Sequence, residues 1–275
     1  MKLHMLVTGI SLVVLVGCAP TATATESPSP TPLAVEPSAT NPPTETETVS
    51  PSAFEAENIS TFNELGIAIG FNYPEGFSQS ISTSFNTTYS PVAPYDLPYP
   101  QNAQIIFTDY SGGDGFTING LRVFLADEVN ALETGAVESV NAVLEGEADH
   151  HVDFPRLAGA GSIIDAQVLP LAFQNGNGYR YLVAKSFSAD PISSTKLTYM
   201  YQGVTNDGKF FVSFIMLVDA PFLSEYVGQT LTTPEEFKTY FQDVNNLVET
   251  SSGDQFTPSL NALDELISSI VILEK

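Results

Sequence analysis

Two glycine-containing turn sequences, each between apolar runs, most constrain the fold of this chain. Asn175-Gly176-Asn177-Gly178 separates residues 166–174 from 179–187, and Thr205-Asn206-Asp207-Gly208 separates residues 196–204 from 209–218. Asn-Gly and Asp-Gly sequences favour tight hairpin turns, because glycine readily adopts the positive φ that such turns require. The sequence therefore predicts two β-hairpins that together form a four-stranded antiparallel meander.

Periodic segments on either side of the meander predict a mixed α and β domain. Strands are predicted at residues 67–73, 104–107 and 118–125, the last two around a glycine-rich turn at 112–115. A helix is predicted over residues 129–144, and two more follow the meander, opening at Thr233-Pro234 and at Thr257-Pro258. We therefore expect an α+β fold, an antiparallel sheet built from hairpins and flanked by helices.

The charge of the chain is strongly one-sided. Its 275 residues include 32 acidic and 9 basic side chains, which gives a formal net charge of −23. Binding to nucleic acid requires clustered lysine and arginine, so we expect no nucleic-acid partner. Hydrophobic residues make up 43% of the chain, which is enough to build a core and excludes a wholly disordered acidic protein.

The first 17 residues resemble a secretory signal peptide, with Lys2 followed by an apolar run from Met5 to Val16. This run is shorter than the roughly 20 residues that span a bilayer. Leu15-Val16-Gly17-Cys18 is similar to the lipobox of bacterial lipoproteins, in which the cysteine is lipidated and becomes the first mature residue. The resemblance implies a lipid anchor at Cys18, in the cell membrane or the outer membrane, on the extracytoplasmic side. The alternative is an ordinary cleaved signal with a coincidental cysteine.

A compositional change follows the lipobox. Residues 19–53 include 8 prolines, 8 threonines, 5 serines and 4 glutamates, with no basic and no aromatic residue. Such a segment cannot bury enough apolar surface to become ordered. We therefore predict a signal peptide at residues 1–17, a disordered tether at 18–53 and a single α+β domain at 54–275. That domain carries 28 acidic and 8 basic residues.

Three stretches of the domain resemble two known families. Residues 66–77, Gly-Ile-Ala-Ile-Gly-Phe-Asn-Tyr-Pro-Glu-Gly-Phe, and the closing residues 263–272 resemble the first strand and the last element of PsbP-like domains, which implies a sandwich of sheet and helices. Residues 173–221, with Gln174-Asn-Gly-Asn-Gly-Tyr-Arg180 and Tyr199-Met-Tyr-Gln-Gly203, are similar to a group of bacterial surface lipoproteins of unassigned function. The second resemblance supports lipid anchoring and implies no activity.

Few residues are candidates for catalysis or metal binding. His150 and His151 lie between Asp149 and Asp153, and imidazole with carboxylate suits zinc. Adjacent histidines point in different directions on a strand or a helix, so one ion seldom binds both. We therefore interpret this stretch as a polar loop, and we expect no metal and no cofactor.

One loop has an unusual composition. Residues 89–100 place Tyr89, Tyr95 and Tyr99 among four prolines. Loops carried on a rigid scaffold often bind ligands, so the three rings are candidate contacts for a sugar or a peptide. The alternative is that the rings pack on the sheet edge and cover it.

These features favour a membrane-tethered extracytoplasmic lipoprotein that is not an enzyme and that binds an envelope protein or a small ligand. The first alternative is an extracytoplasmic hydrolase, because paired carboxylates can cleave glycosidic bonds. The second is a cation-binding or small-ligand-binding module, because an acidic surface raises the local concentration of cations. A pocket with convergent carboxylates of perturbed pKa would favour the enzyme, and a flat sheet face would favour the interaction protein.

Overall fold

Ten β-strands and four α-helices occur in the part of the chain that this computed structural model describes, residues 56–90, 98–110, 119–147, 154–155 and 160–275. The strands are β1 Asn58–Phe62, β2 Ile67–Phe71, β3 Ser80–Asn86, β4 Asn102–Thr108, β5 Gly120–Leu125, β6 Gly161–Phe173, β7 Gly176–Ser186, β8 Lys196–Thr205, β9 Phe210–Asp219 and β10 Val271–Glu274. The helices are α1 Ala126–Leu132, α2 Ala136–Leu144, α3 Pro234–Thr250 and α4 Leu260–Ser269.

The strands form two antiparallel sheets. The large sheet has the order β3-β4-β5-β9-β8-β7-β6, and the small sheet has the order β1-β2-β10. Strands β6 to β9 are the predicted meander, since each pairs with the next along the chain. The α+β class and the antiparallel sheet flanked by helices are therefore confirmed. The described residues belong to one compact unit.

Both predicted hairpins form, one of them with a shifted turn. In the first, Phe173 pairs with Gly176, so the loop is Gln174-Asn175 and Gly176 already lies in β7. A Cβ atom on Gly176 would lie 2.1 Å from the Phe173 ring, so close packing explains this glycine. In the second hairpin, Gly208 has a φ of 73°, as the turn prediction requires.

The two faces of the large sheet are covered by different elements. One face packs against the small sheet, α3 and α4 in a core that includes Phe71, Phe214 and Leu263. The other face packs against α1 and α2 in a core that includes Phe124 and Val140. Each face therefore has its own hydrophobic core, and any open surface of the sheet must lie beyond these covering elements.

The helices differ from the prediction at two places. The stripe over residues 129–144 predicted one helix, but the chain forms α1 and α2, because Gly135 takes a left-handed conformation with a φ of 86°. Helix α3 begins as predicted, with Thr233 in a capping box. Helix α4 begins at Leu260 rather than at Thr257-Pro258, because Thr257 exchanges two backbone hydrogen bonds with Asp219.

Three strands were not predicted, namely β1, β3 and β10. Strand β10 pairs with β2, and the backbone N–H of Lys275 donates a 2.9 Å hydrogen bond to the Gly66 carbonyl. The small sheet therefore joins the first and last described strands of the domain.

Candidate functional site

A trough with a volume of about 530 Å³ opens on the sheet face that also carries α1 and α2. Its floor is formed by residues of three adjacent strands, where Val183 pairs with Thr198 and Met200 pairs with Ile215. Pro155 lines one wall. Small-molecule sites in proteins usually measure about 300–1,000 Å³, so the trough is large enough for such a ligand.

Polar groups surround the apolar floor. The loop between β7 and β8 and the ends of both strands contribute hydroxyl groups, from Ser186, Ser188, Ser193 and Ser194. Lys185 and Lys196 also line the trough, and both have polar partners within the chain. Asp190 is the one carboxylate among the described lining residues, and it accepts a hydrogen bond from the Ser188 hydroxyl. Two basic residues and one acidic residue therefore occur in the described lining, whereas the domain as a whole has 28 acidic and 8 basic residues.

A row of polar side chains crosses the same sheet face. The row consists of successive cross-strand neighbours on β4, β5, β9, β8 and β7, which are Gln104, Arg122, Ser213, Gln202 and Tyr179. The Ser213 hydroxyl donates a 3.0 Å hydrogen bond to the carbonyl of Phe154. Because Pro155 follows Phe154, this bond holds the trough wall against the sheet.

Arg122 is the charged member of the polar row. Burial lowers the pKa of its guanidinium, and the nearby Tyr99 phenol opposes that effect. With the Gln104 carboxamide oxygen turned toward Arg122, the guanidinium donates hydrogen bonds of 3.1 and 3.3 Å to it. Among the described residues, no carboxylate forms a salt bridge with Arg122. Amide and phenol groups therefore surround this guanidinium on the described part of the sheet.

Two of the three tyrosines of the predicted ligand loop lie together. The Tyr89 and Tyr99 rings stack with their centroids 5.0 Å apart, and the Tyr89 N–H donates a 2.9 Å hydrogen bond to the Tyr99 carbonyl. Tyr99 also packs against the core beneath α1 and α2. Neither ring lines the trough, so a ligand role for this loop stays a prediction.

Four residues singled out in the sequence lie outside the described residues, which are Tyr95, Cys18, His150 and His151. The structure therefore neither supports nor opposes lipid attachment, a third ring in the loop, or the interpretation of the histidine pair. Within the described ranges, no three His, Cys, Asp or Glu side chains are grouped so that they could hold a metal ion. None of the described helices has the length and apolar character of a membrane span.

A second polar cluster lies on the opposite face of the sheet, where α4 packs. The Tyr199 hydroxyl donates a 2.7 Å hydrogen bond to Asp264 Oδ1, and Arg180 Nε lies 3.4 Å from the same oxygen. Burial raises the pKa of Asp264, and burial together with the negative charge of Asp264 raises the pKa of Tyr199. An open pocket of about 490 Å³ is lined by Asp264 and Glu265.

A carboxyl of raised pKa in a pocket is a feature of general acids, so Asp264 is the residue that the hydrolase alternative would require. Its Oδ1 atom already accepts the hydrogen bond from the Tyr199 hydroxyl and faces the Arg180 guanidinium. Asp264 and Glu265 are consecutive in a helix, so their side chains diverge by roughly 100° and do not converge on one bond. These contacts favour a structural role for Asp264.

Gln167 extends this cluster to α3. Arg180 Nη1 donates 3.0 Å hydrogen bonds to the carbonyl and to the side-chain oxygen of Gln167. Gln167 Nε2 in turn donates to the carbonyls of Val248 and Ser251, at 2.7 and 2.9 Å. The cluster therefore links three strands, β6, β7 and β8, to both C-terminal helices.

Comparisons of the chain with protein-family models, with curated proteins and with solved structures found no match. The trough was missed in the sequence because its described lining comes from four strands, β6 to β9, from one loop and from Pro155, which lie in separate parts of the chain. The one available signal was the run Ser186 to Ser194, where four of nine residues are serine.

Proposed function

We propose that this protein is a lipid-anchored extracytoplasmic binding module that holds a small ligand in the trough over β7, β8 and β9. The observation that supports binding is a cavity of about 530 Å³ with an apolar floor and hydroxyl-rich walls. Apolar pockets with a few convergent polar groups are the usual form of small-ligand sites. The ligand is a small molecule that has an apolar part and neutral or anionic polar groups.

Binding accounts for the trough better than catalysis does. Its described lining includes one carboxylate, Asp190, and neither histidine nor cysteine. General acid–base chemistry needs two groups that can exchange protons with the substrate. The described lining therefore supplies contacts for recognition and no such pair.

Anchoring is supported by the sequence before the domain. The lipobox Leu15-Val16-Gly17-Cys18 implies lipid attachment at Cys18, and the 35 residues that follow are rich in proline and threonine. In a polyproline II conformation a segment of this length reaches on the order of 100 Å, at about 3.1 Å per residue. A tether of that reach would let the domain meet solutes or envelope components away from the membrane surface.

The test is to purify the full chain from its own membranes in mild detergent and to identify bound small molecules by native mass spectrometry. Thr198→Tyr places a ring over the trough floor, and Thr61→Tyr, on an exposed position of β1, is the matched control. We expect a small molecule with the unchanged chain and with Thr61→Tyr, and its loss with Thr198→Tyr. If both variants retained the small molecule equally, or if only a protein partner were recovered, the trough would not be the ligand site.

A further inference from the structure

Strand β3 is an exposed edge of the large sheet. It pairs with β4 through all seven residues without a register shift, and Ser82, Thr83 and Ser84 are exposed. Edge strands usually carry charges, prolines or bulges that prevent pairing with another chain. The sequence of β3, Ser-Ile-Ser-Thr-Ser-Phe-Asn, contains none of these. It also meets part of the description of segments that add to other strands, because it is uncharged and contains neither proline nor glycine.

The other edge of the same sheet, β6, is protected. Its pairing with β7 has two register shifts, and Gln167 within it has a φ of 55°. Side chains of α3 also bond to its backbone, since Asn245 Oδ1 accepts a 2.9 Å hydrogen bond from Asp165 N and Glu249 accepts one from Gln167 N. No described side chain bonds in this way to the backbone between Ile81 and Phe85. Among the described residues, this contrast within one sheet singles out β3 as the edge without such protection.

Charged residues are also sparse in the sequence around β3. Residues 77–108, which include β3 and β4, contain one charged residue, Asp96, although the domain has 28 acidic and 8 basic residues. Two copies of this acidic domain repel each other over most of their surfaces. At β3 a second copy approaches a segment that adds no like charge to the contact.

The sequence of β3 is complementary to itself in the antiparallel sense. With Thr83 on a two-fold axis, Ile81 of one copy faces Phe85 of the other, and Ser82 faces Ser84. Ile81, Thr83 and Phe85 share one face of the sheet, because their partners on β4 are Phe107, Ile105 and Ala103. Facing apolar and aromatic pairs stabilise antiparallel strands, and Ile81 and Phe85 are only half-buried in the single chain.

We propose that β3 is a dimerisation edge, at which it pairs antiparallel with β3 of a second copy about a two-fold axis at Thr83. The two seven-stranded sheets then form one continuous sheet. Such an isologous contact closes on itself and leaves no further free β3 edge, so the assembly stops at two copies. This proposal depends neither on the trough nor on the lipid anchor.

Disulfide trapping in the full chain tests the register. Directly opposite residues of antiparallel strands have Cα atoms about 4.5–5.5 Å apart, which lies within the roughly 4.4–6.8 Å range of disulfides. Thr83→Cys should therefore cross-link two copies under mild oxidation. Ser82→Cys and Ser84→Cys should each cross-link poorly alone and well when mixed, because each faces the other. The unchanged chain measures any background from Cys18.

Sedimentation equilibrium tests the dimer without a new thiol. Thr83→Lys places two like charges opposite each other, so we expect the dissociation constant of the dimer to rise at least about tenfold. Thr239→Lys, the same substitution on the exposed side of α3, is the matched control and should change it less than about twofold. A monomer at all concentrations, a dimer unaffected by Thr83→Lys, or trapping of a different protein by the Thr83→Cys thiol would overturn the proposal.

Discussion

The Tyr199 hydroxyl and the Asp264 carboxylate are joined by a 2.7 Å hydrogen bond between residues 65 positions apart in the chain. Arg180 Nε approaches the same carboxylate oxygen at 3.4 Å. One side chain of α4 thus holds both β7 and β8. Because charged groups removed from water are costly when they lose a partner, the contribution of Asp264 to stability can be measured by substitution.

We predict that Asp264→Ala lowers the free energy of unfolding by about 2–4 kcal/mol, because it leaves the Arg180 charge without its partner. The value is below that of a fully buried pair because the Asp264 side chain is 20% exposed. Tyr199→Phe removes one hydrogen bond and should cost about 1 kcal/mol. Urea unfolding measures both, with the exposed Glu265→Ala as the control. An effect of Asp264→Ala no larger than that of Glu265→Ala would contradict the structural role.

Gly120, at the start of β5, should not tolerate a side chain. A Cβ atom there would lie 2.1 Å from the backbone oxygen of Ile105, which cannot move without disturbing β4. We expect Gly120→Ala to destabilise the protein by about 2–3 kcal/mol, through overpacking. Gly161→Ala, at the start of β6 with nothing within 4 Å, should be neutral or slightly stabilising. Similar unfolding midpoints for the two variants would show that β4 and β5 can separate at this point.

Stability should rise as the pH falls from 8 toward 5. Burial raises the pKa of Asp264, so the folded state binds this proton more tightly than the unfolded state does. Self-repulsion among 28 carboxylates opposed by 8 basic groups acts in the same direction. Protonation therefore stabilises the folded state relative to the unfolded state. Added salt should also stabilise it, because salt screens the repulsion among the carboxylates. A melting temperature that falls between pH 8 and 5 and ignores salt would contradict this prediction.

Below about pH 4.5 the trend should reverse, because carboxylates with lowered pKa values then become protonated. Hydrogen bonds from the Thr205 hydroxyl and the Lys209 N–H lower the pKa of Asp207, and those from the backbone N–H groups of Thr232 and Thr233 lower that of Glu236. These contacts stabilise the fold at neutral pH and are lost on protonation. Glu236→Gln should reduce the fall in melting temperature below about pH 4.5. An unchanged fall would show that other groups cause the loss of stability in acid.

Replacement of Cys18 by serine tests the anchor. If the lipid is attached at Cys18, Cys18→Ser should leave the membrane fraction or remain unprocessed, while the domain keeps its melting temperature. The exposed substitution Thr61→Ser, in the domain, is the control and should fractionate as the unchanged chain does. Membrane association of Cys18→Ser equal to that of the unchanged chain would refute lipid attachment at this residue.

The meander could be predicted because its determinants are local. The Gln174-Asn175 loop and the turn that includes Asp207-Gly208 each reverse the chain within a few residues, and long apolar runs flank them. Strands β3 and β10 could not be predicted in this way. Strand β3 is rich in serine and mostly exposed, and β10 follows directly on the apolar stripe of α4. Strand β10 is a strand because β2, about 200 residues earlier, pairs with it, and β3 is a strand because it pairs with β4.

The candidate site was less predictable than the fold. Residues of the tyrosine loop were found from composition, but Val183, Thr198 and Ile215 look like ordinary strand residues in the sequence. Their common position in the lining of the trough depends on which part of the sheet α1 and α2 leave uncovered. The helical break at Gly135 affects which part of the sheet the two helices cover. The apolar stripe that runs across Gly135 in the sequence gave no sign of this break.

The pairing of β2 with β10 has a consequence for how the chain is made. These strands are separated by about 200 residues. In the meander, by contrast, each strand pairs with the next strand along the chain. Local contacts form early and distant ones late. A chain that emerges amino end first from a ribosome or a translocon must therefore keep one edge of β2 unpaired until Val271–Glu274 follows. We expect that interval to be when the protein depends most on chaperones.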